Sequence, residues 1–261
     1  MEIKKMIKKH LITCSVILVL AVIFKLNICS TETTKTTVKT TTNTHHVSRY
    51  IYAVNDAANE YSFANEALPL NNAKVDRKMR LTIKKHDFRT TQTNILHHKA
   101  DKLFPIIEPI LKEYGIPDDF KYIPLVESGL KEGTSPKGAA GLWQFMPGTA
   151  RSYGLKVGRG VDERKNLRKA TIAACKYIKE LHDEFNSWTL AAAAYNNGSV
   201  KLAKAMRTQH KVNYYRMNLN RETGAYVYKL VAMKEIIDKP VKHGYSALYA
   251  YQPLQQLLSY N

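Results

Sequence analysis

Cysteine is scarce in this chain, and acid is scarce relative to base. Cys14, Cys29 and Cys175 are the three cysteines in 261 residues. The first two lie within or just after an apolar N-terminal run, so only Cys175 belongs to the folded part. A disulfide inside the domain is excluded, and no cysteine or histidine spacing suits a metal, so neither metal nor cofactor is expected. Cys175 reads as a small core residue on a helix. The sequence also lacks a strand-dominated region, an internal repeat, and any helix-turn-helix, zinc-finger or RNA-binding signature. Against 22 acidic residues stand 40 Lys and Arg, a formal charge of +18. Such a charge suits any polyanion, including anionic lipid headgroups and a cell wall. The basic residues are spread along the chain, and no nucleic-acid partner is expected.

Residues 1–10 carry Lys4, Lys5, Lys8 and Lys9, and residues 11–24 are apolar without a charge. This is the n-region and h-region of an export signal. The run is short for a membrane-spanning helix, which needs about 20 residues. Lys25 and Asn27 interrupt it, while Leu26 and Ile28 extend it. Three fates follow: an uncleaved anchor over residues 11–28, a lipid on Cys29, or secretion after cleavage. All three place the remainder outside the cytoplasm, on the periplasmic side of a cell envelope and held near the membrane in the first two cases. Residues 30–48 are dominated by threonine and read as a tether, with the adjacent His45 and His46 solvated. Tyr50, Tyr52, Tyr61 and Phe63 can pack onto the domain that follows. The expected organisation is a signal or anchor segment at 1–28, a linker and mixed segment at 29–74, a helical domain at 75–238 and a tail at 239–261.

Met79, Ile83, Phe88, Gln92, Ile95, Leu103, Ile107 and Ile110 recur at near-helical spacing over 76–114, with basic residues between, and the stretch reads as helical. Pro105 and Pro109 predict a break or kink in the second half. Gly115-Ile116-Pro117 closes one helix and opens the next, with Asp118 and Asp119 near its positive end. Pro147 opens a helix to about Tyr153, and a basic loop follows. Asn166 caps a helix through Phe185. A short alanine-rich helix from Trp188 ends at Tyr195-Asn196-Asn197-Gly198, where Gly198 supplies a left-handed cap. Ser199 restarts a helix through Leu202 and Met206. The last begins at Glu222 or Thr223, with Tyr226, Leu230, Met233 and Ile237 on one face.

Within residues 122–147, Glu127 stands alone in an apolar run. On a helix, Phe120, Ile123, Pro124 and Glu127 share one face. A carboxyl facing inward has its pKa raised and can stay protonated near neutral pH. That is the group needed to cleave an acetal such as a glycosidic bond. Ser128 follows it directly. A loop rich in glycine, with Gly133, Gly138 and Gly141, permits tight turns and close approach to a ligand. Trp143 and Phe145 offer flat surfaces and Gln144 an amide between them. Together these describe a sugar site.

Four stretches carry a resemblance from Glu127 to Val227: Glu127-Ser128, the run from Ser135 through Gly141-Leu142-Trp143-Gln144-Phe145-Met146-Pro147 to Ala150, Ala194-Tyr195-Asn196-Asn197-Gly198, and Glu222-Thr223-Gly224-Ala225-Tyr226-Val227. In order and type they resemble the family-1 lytic transglycosylases, whose all-α, soluble-lytic-transglycosylase-like fold is related to goose-type lysozyme. Within that family they are most similar to the membrane-bound type D enzymes. Those typically carry C-terminal peptidoglycan-binding repeats, and this chain is expected to find its wall affinity elsewhere. Asn218-Leu219-Asn220 departs from the family's usual Leu-Pro pair before the last motif, which leaves the shape of that loop open.

The resemblance implies cleavage of the bond between N-acetylmuramic acid and N-acetylglucosamine in peptidoglycan without water. The muramic C6 hydroxyl attacks its own anomeric carbon and leaves a 1,6-anhydro ring. Glu127 would serve as acid and then as base. Ser128, Gln144, Met146, Tyr195, Asn196 and Tyr226 would bind the glycan: Gln144 and Asn196 through amides, Tyr195 and Tyr226 by positioning Glu127 or an acetamido group, Met146 by packing beside the cut bond. Trp143 reads as structural. Paired-carboxylate glycosidases hold their acids about 5 to 9.5 Å apart. Asp118 and Asp119 sit more than two turns from Glu127, about 12 Å at 1.5 Å per residue. Glu132 and Asp162 remain as candidates for a second acid. A lysozyme-like hydrolase and a non-catalytic wall-binding scaffold are the competing readings.

Overall fold

The computed structural model describes residues 61–127, 133–246 and 248. The N-terminal apolar run, the tether, Ser128, Glu132 and the end of the tail lie outside the described residues. Nine α-helices and two minimal antiparallel strand pairs make up what is described. Among the described residues no helix is long and apolar enough to cross a membrane.

The folded part starts before the helical periodicity does. Strands β1 (Ser62–Phe63) and β2 (Glu66–Ala67) form a hairpin whose Phe63 is fully buried, with Tyr61, Ala64 and Leu68 beside it. The Glu66 carboxylate accepts from the backbone N–H groups of Trp188 at 2.6 Å and Thr189 at 3.0 Å. Two orphan donors at a helix start thus meet an anion from the hairpin, and Ser187 Oγ caps a third, Leu190 N. The boundary expected at residue 75 therefore moves back to at least Tyr61. The boundary at 238 moves forward, since Pro240 and Tyr245 are buried and the Tyr245 ring packs on Phe88 and His97.

The expected helical run over 76–114 is three helices. Helix α1 (Ala73–Lys84) starts on an Asn72 cap, α2 (Phe88–Thr91) on an Asp87 cap, and Gln92 leaves α2 in the left-handed region at φ 48°. Gln92 is thus a turn residue, off the apolar face, and the capping side chains outcompete the continuous pattern. Helix α3 (Ile95–Glu113) runs unbroken through Pro105 and Pro109. Each proline frees one carbonyl. Asp101 and Pro109 lie on the exposed side, where water can reach the ladder, while Phe104, Ile107 and Leu111 anchor the other side in the core.

A 3₁₀ turn (Asp118–Tyr122) leads into α4 (Ile123–Glu127), then come α5 (Pro147–Ser152), the hairpin β3 (Val157–Gly158) and β4 (Val161–Asp162), α6 (Leu167–Phe185), α7 (Trp188–Asn197), α8 (Ser199–Gln209) and α9 (Thr223–Asp238). The basic loop expected after α5 contains that hairpin. Helix α7 is the axis of the core. Ala191, Ala192, Ala193 and Ala194 are all fully buried, and their small side chains let α6 and α9 pack on it from different sides. Asn166 caps α6 through Lys169 N, as its position predicts. Gly198 has φ 82° and ψ 137°, outside the left-handed helical well and open only to glycine. Tyr226, Leu230, Met233 and Ile237 on α9 are all buried.

Candidate active site

Glu127 closes α4, and the turn before it is pinned from several directions. Phe120 and Ile123 are fully buried. Tyr122 Oη donates to Asp238 Oδ1 on α9 at 2.6 Å. The buried Lys121 ammonium bonds Glu108 on α3 at 2.8 Å and Asp118 at 2.6 Å. Asp119 accepts from Ala64 N and Lys234 Nζ, each at 2.7 Å. Helix α4 is thus fixed to α3, α9 and the first hairpin, and Glu127 is delivered half-buried to the floor of a cleft of about 620 Å³.

One wall of the cleft is the loop from Gly133 to Met146, folded by backbone bridges Thr134 to Ala140 and Ala140 to Phe145. Its keystone is Arg164, a buried residue in the 3₁₀ turn after β4. The guanidinium donates to Gly138 O at 2.7 Å and Phe145 O at 2.9 Å, while Nε and Nη2 grip both oxygens of Asp162 at 2.8 and 2.7 Å. The planar fork lets one residue tie two strands of loop to a carboxylate. Gly141 meets this clamp at φ 75°, where a Cβ would stand 1.9 Å from Arg164 O, so no other residue fits. Trp143 is fully buried with Nε1 donating to Thr171 Oγ1 at 2.9 Å, and Phe145 is buried as well. The expected aromatic wall is therefore core, and the structural reading of Trp143 holds.

The facing wall is a polar lattice between the end of α7 and the start of α9. Thr223 Oγ1 donates to Asn196 Oδ1 at 3.0 Å, Asn196 Nδ2 to Glu222 Oε1 at 3.3 Å, and Asn220 Nδ2 to Asn197 Oδ1 at 3.1 Å. Asn220 Oδ1 also caps α9 by accepting from Thr223 N at 2.9 Å. The departure at Asn218-Leu219-Asn220 thus builds its own helix start.

The Glu127 carboxyl is held above the usual carboxylate range. Burial is the main cause. Tyr226 and Asn196 hydrogen bonding and Lys229 pull it down, and the neighbouring Glu222 carboxylate pushes it up. The buried Tyr226 hydroxyl faces Glu127 but meets full hydrogen-bond geometry with no group, and both burial and Glu127 drive its own pKa far up. It is a neutral donor aimed at the acid.

Of the residues singled out from sequence, Glu127, Gln144, Met146, Tyr195 and Asn196 line this one cleft, and Tyr226 stands behind Glu127. Met146 is 45% exposed at the rim. Gln144 adopts φ 47°, and its amide nitrogen donates to Gly141 O at 2.8 Å, so part of its bonding capacity shapes the loop. Tyr195 Oη donates to Trp143 O at 2.8 Å, which ties the two walls together. That hydroxyl proton goes to the loop backbone, while the residue still lines the cleft. Asp162, Asp118 and Asp119 are all engaged in structural pairs, so none serves as a second acid. Among the described residues the cleft's second carboxylate is Glu222, exposed on the facing wall. Its signal was its place at the head of the last motif. Lys137 and Lys201 also line the cleft, and nothing in the local sequence marked them.

Residues 104–218 match the Transglycosylase SLT domain. Membrane-bound lytic murein transglycosylase D of Escherichia coli strain K12 is 34% identical over 140 residues, covering 51% of this chain and 31% of that protein. A protein from Alteromonas sp. strain M-1 named for tributyltin chloride resistance is 27% identical over 164 residues, covering 60% of this chain and 79% of that one. A solved structure of an inactive mutant of lytic transglycosylase Slt from Pseudomonas aeruginosa superposes with a TM-score of 0.41 at 21% identity, over 57% of this chain and 25% of that chain. The chain thus spans about a third of the length of the first relative. Glu127, the loop and Asn196 all fall inside the stretch that matches this domain, residues 104–218.

Proposed function

We propose that this domain is a peptidoglycan lytic transglycosylase, cutting the β-1,4 bond between N-acetylmuramic acid and N-acetylglucosamine to leave 1,6-anhydro ends. The observation that carries the reading is Glu127 itself, a half-buried carboxyl with an upward-shifted pKa on the floor of a cleft that an extended glycan can enter. Protonated Glu127 gives its proton to the glycosidic oxygen as the bond from that oxygen to the anomeric carbon breaks. The muramic C6 hydroxyl then bonds to the same carbon, and its proton returns to Glu127. Tyr226 and Asn196 hold the carboxyl through this exchange. Asn196 and Gln144 face the glycan's hydroxyl and acetamido groups, and Met146 packs on its apolar face. Ser128, adjacent in sequence, completes the binding set. Residues 11–28, or a lipid on Cys29, would hold the domain at the membrane with peptidoglycan in reach. The naming of the Escherichia coli relative supports envelope association.

The test is mass spectrometry of muropeptides released from purified peptidoglycan. Products one water lighter than the reducing forms are expected. Reducing ends would make the protein a hydrolase, and binding without release would make it a scaffold.

A further inference from the structure

The segment that carries the far wall of the cleft is charged in one sense. Residues 199–221 contain Lys201, Lys204, Arg207, Lys211, Arg216 and Arg221 and no aspartate or glutamate. All six are exposed, and none has an ion-pair partner among the described residues. Elsewhere the cations that touch the core are paired, as Lys121, Arg164 and Lys234 are. At 100° per residue, Lys201, Lys204 and Arg207 spread over one side of α8, opposite the buried Leu202 and the half-buried Met206. The stripe begins inside the cleft, because Lys201 lines it, and Lys137 stands on the other wall.

With every muramic lactyl carboxyl held in an amide to peptide, the sugar backbone carries no formal charge, so a cleft for the sugars alone gains nothing from cations. In peptidoglycan the negative charge lies on the peptides attached through the muramic lactyl group, which bear free carboxylates. Resting on the reading above, we infer that the basic stripe from Lys201 along α8 to Lys211 is an exosite for the acidic peptides of the substrate strand. It makes the domain selective for peptide-bearing over peptide-stripped glycan. Lys137 and Lys201 take the carboxylates nearest the cut bond, and Lys204, Arg207 and Lys211 take those further along. Exposed ion pairs are individually weak, so the site acts through several at once and is sensitive to salt.

The full chain carrying Glu127→Gln would be cosedimented with intact peptidoglycan and with glycan stripped of peptide by an amidase, its freed lactyl carboxylates then capped as methylamides. A second version would add Lys204→Glu, Arg207→Glu and Lys211→Glu, and a third the charge-preserving Lys204→Arg, Arg207→Lys and Lys211→Arg. The charge-reversed protein is expected to bind intact peptidoglycan about tenfold more weakly and stripped glycan as well as its parent. The charge-preserving protein should match the parent on both. Raised salt should weaken only the binding that the reversal removes. Equal binding of intact peptidoglycan by parent and reversed protein would overturn the inference, as would an equal loss on both substrates. So would a loss confined to vesicles of anionic phospholipid, which would make the stripe a lipid dock. Muropeptide products from the Glu127 form answer the catalytic question separately. A chain that releases nothing yet shows the binding difference refutes the transglycosylase and keeps the exosite.

Discussion

Two carboxylates share one cleft, and their surroundings divide the labour between them. Glu127 ends a helix nailed to the core on three sides and is half-buried beside a neutral tyrosine hydroxyl. Glu222 is exposed at the mouth of α9, bonded only to the amide of Asn196. The same functional group is thus an acid in one place and a background charge in the other. Burial sets Glu127 apart, because its carboxylate form loses water there. The cleft needs no second reacting carboxylate if the substrate's own hydroxyl is the nucleophile, and Glu222 then acts only on the proton affinity of Glu127.

The sharpest way to break this division is to remove one acid at a time. Glu127→Gln keeps the shape and removes the proton, so turnover of peptidoglycan should fall by about 10³-fold. Glu222→Gln should cost only a few-fold. A comparable loss in both variants would mean a paired-acid mechanism and reducing-end products.

The next effect belongs to the loop that faces the acids. Arg164→Met leaves Asp162 without its partner and frees the carbonyls of Gly138 and Phe145. The expected loss is about 3 kcal/mol, the range for breaking a buried ion pair from one side. Urea unfolding followed by tryptophan fluorescence would measure it, since Trp143 lies in the core beside this loop. Unchanged stability would show that the loop is held by its backbone bridges alone.

Arg164 also marks where reading the sequence stops. Glu127 was legible because an isolated acid in an apolar helical pattern is a local signal. The capped start of α6 and the buried face of α9 were legible for the same reason, as their spacing and cap are written within a few residues. Arg164 sits in a basic loop and binds carbonyls 19 and 26 residues upstream, so no window around it shows a clamp. Glu66 likewise caps a helix 122 residues later, which is why the fold appeared to begin at the first helical period. Trp143 and Phe145 look like ligand surfaces by type and are core by topology. The prolines of α3 are breakers by local rule and are overridden by packing. What failed to show in the sequence is long-range hydrogen bonding, and it is the part that positions the cleft.

The smallest effects give the most specific test, because two neighbours act on Glu127 with opposite signs. On the proposed mechanism Glu127 must be protonated at the start of the cycle, so activity should fall as pH rises through its pKa. Glu222 raises that pKa by charge repulsion and Tyr226 lowers it by hydrogen bonding to the carboxylate. Glu222→Gln should therefore move the alkaline limb of the kcat profile to lower pH and cost a few-fold in rate near neutrality. Tyr226→Phe should move the same limb to higher pH. It should also slow turnover on the acid side, where the limb plays no part, because the carboxylate loses a donor when it must take back a proton. Neither change should alter the products. Limbs that shift in the same direction in both variants would show that the two residues act through the shape of the cleft, and the electrostatic contrast between its two acids would fall with them.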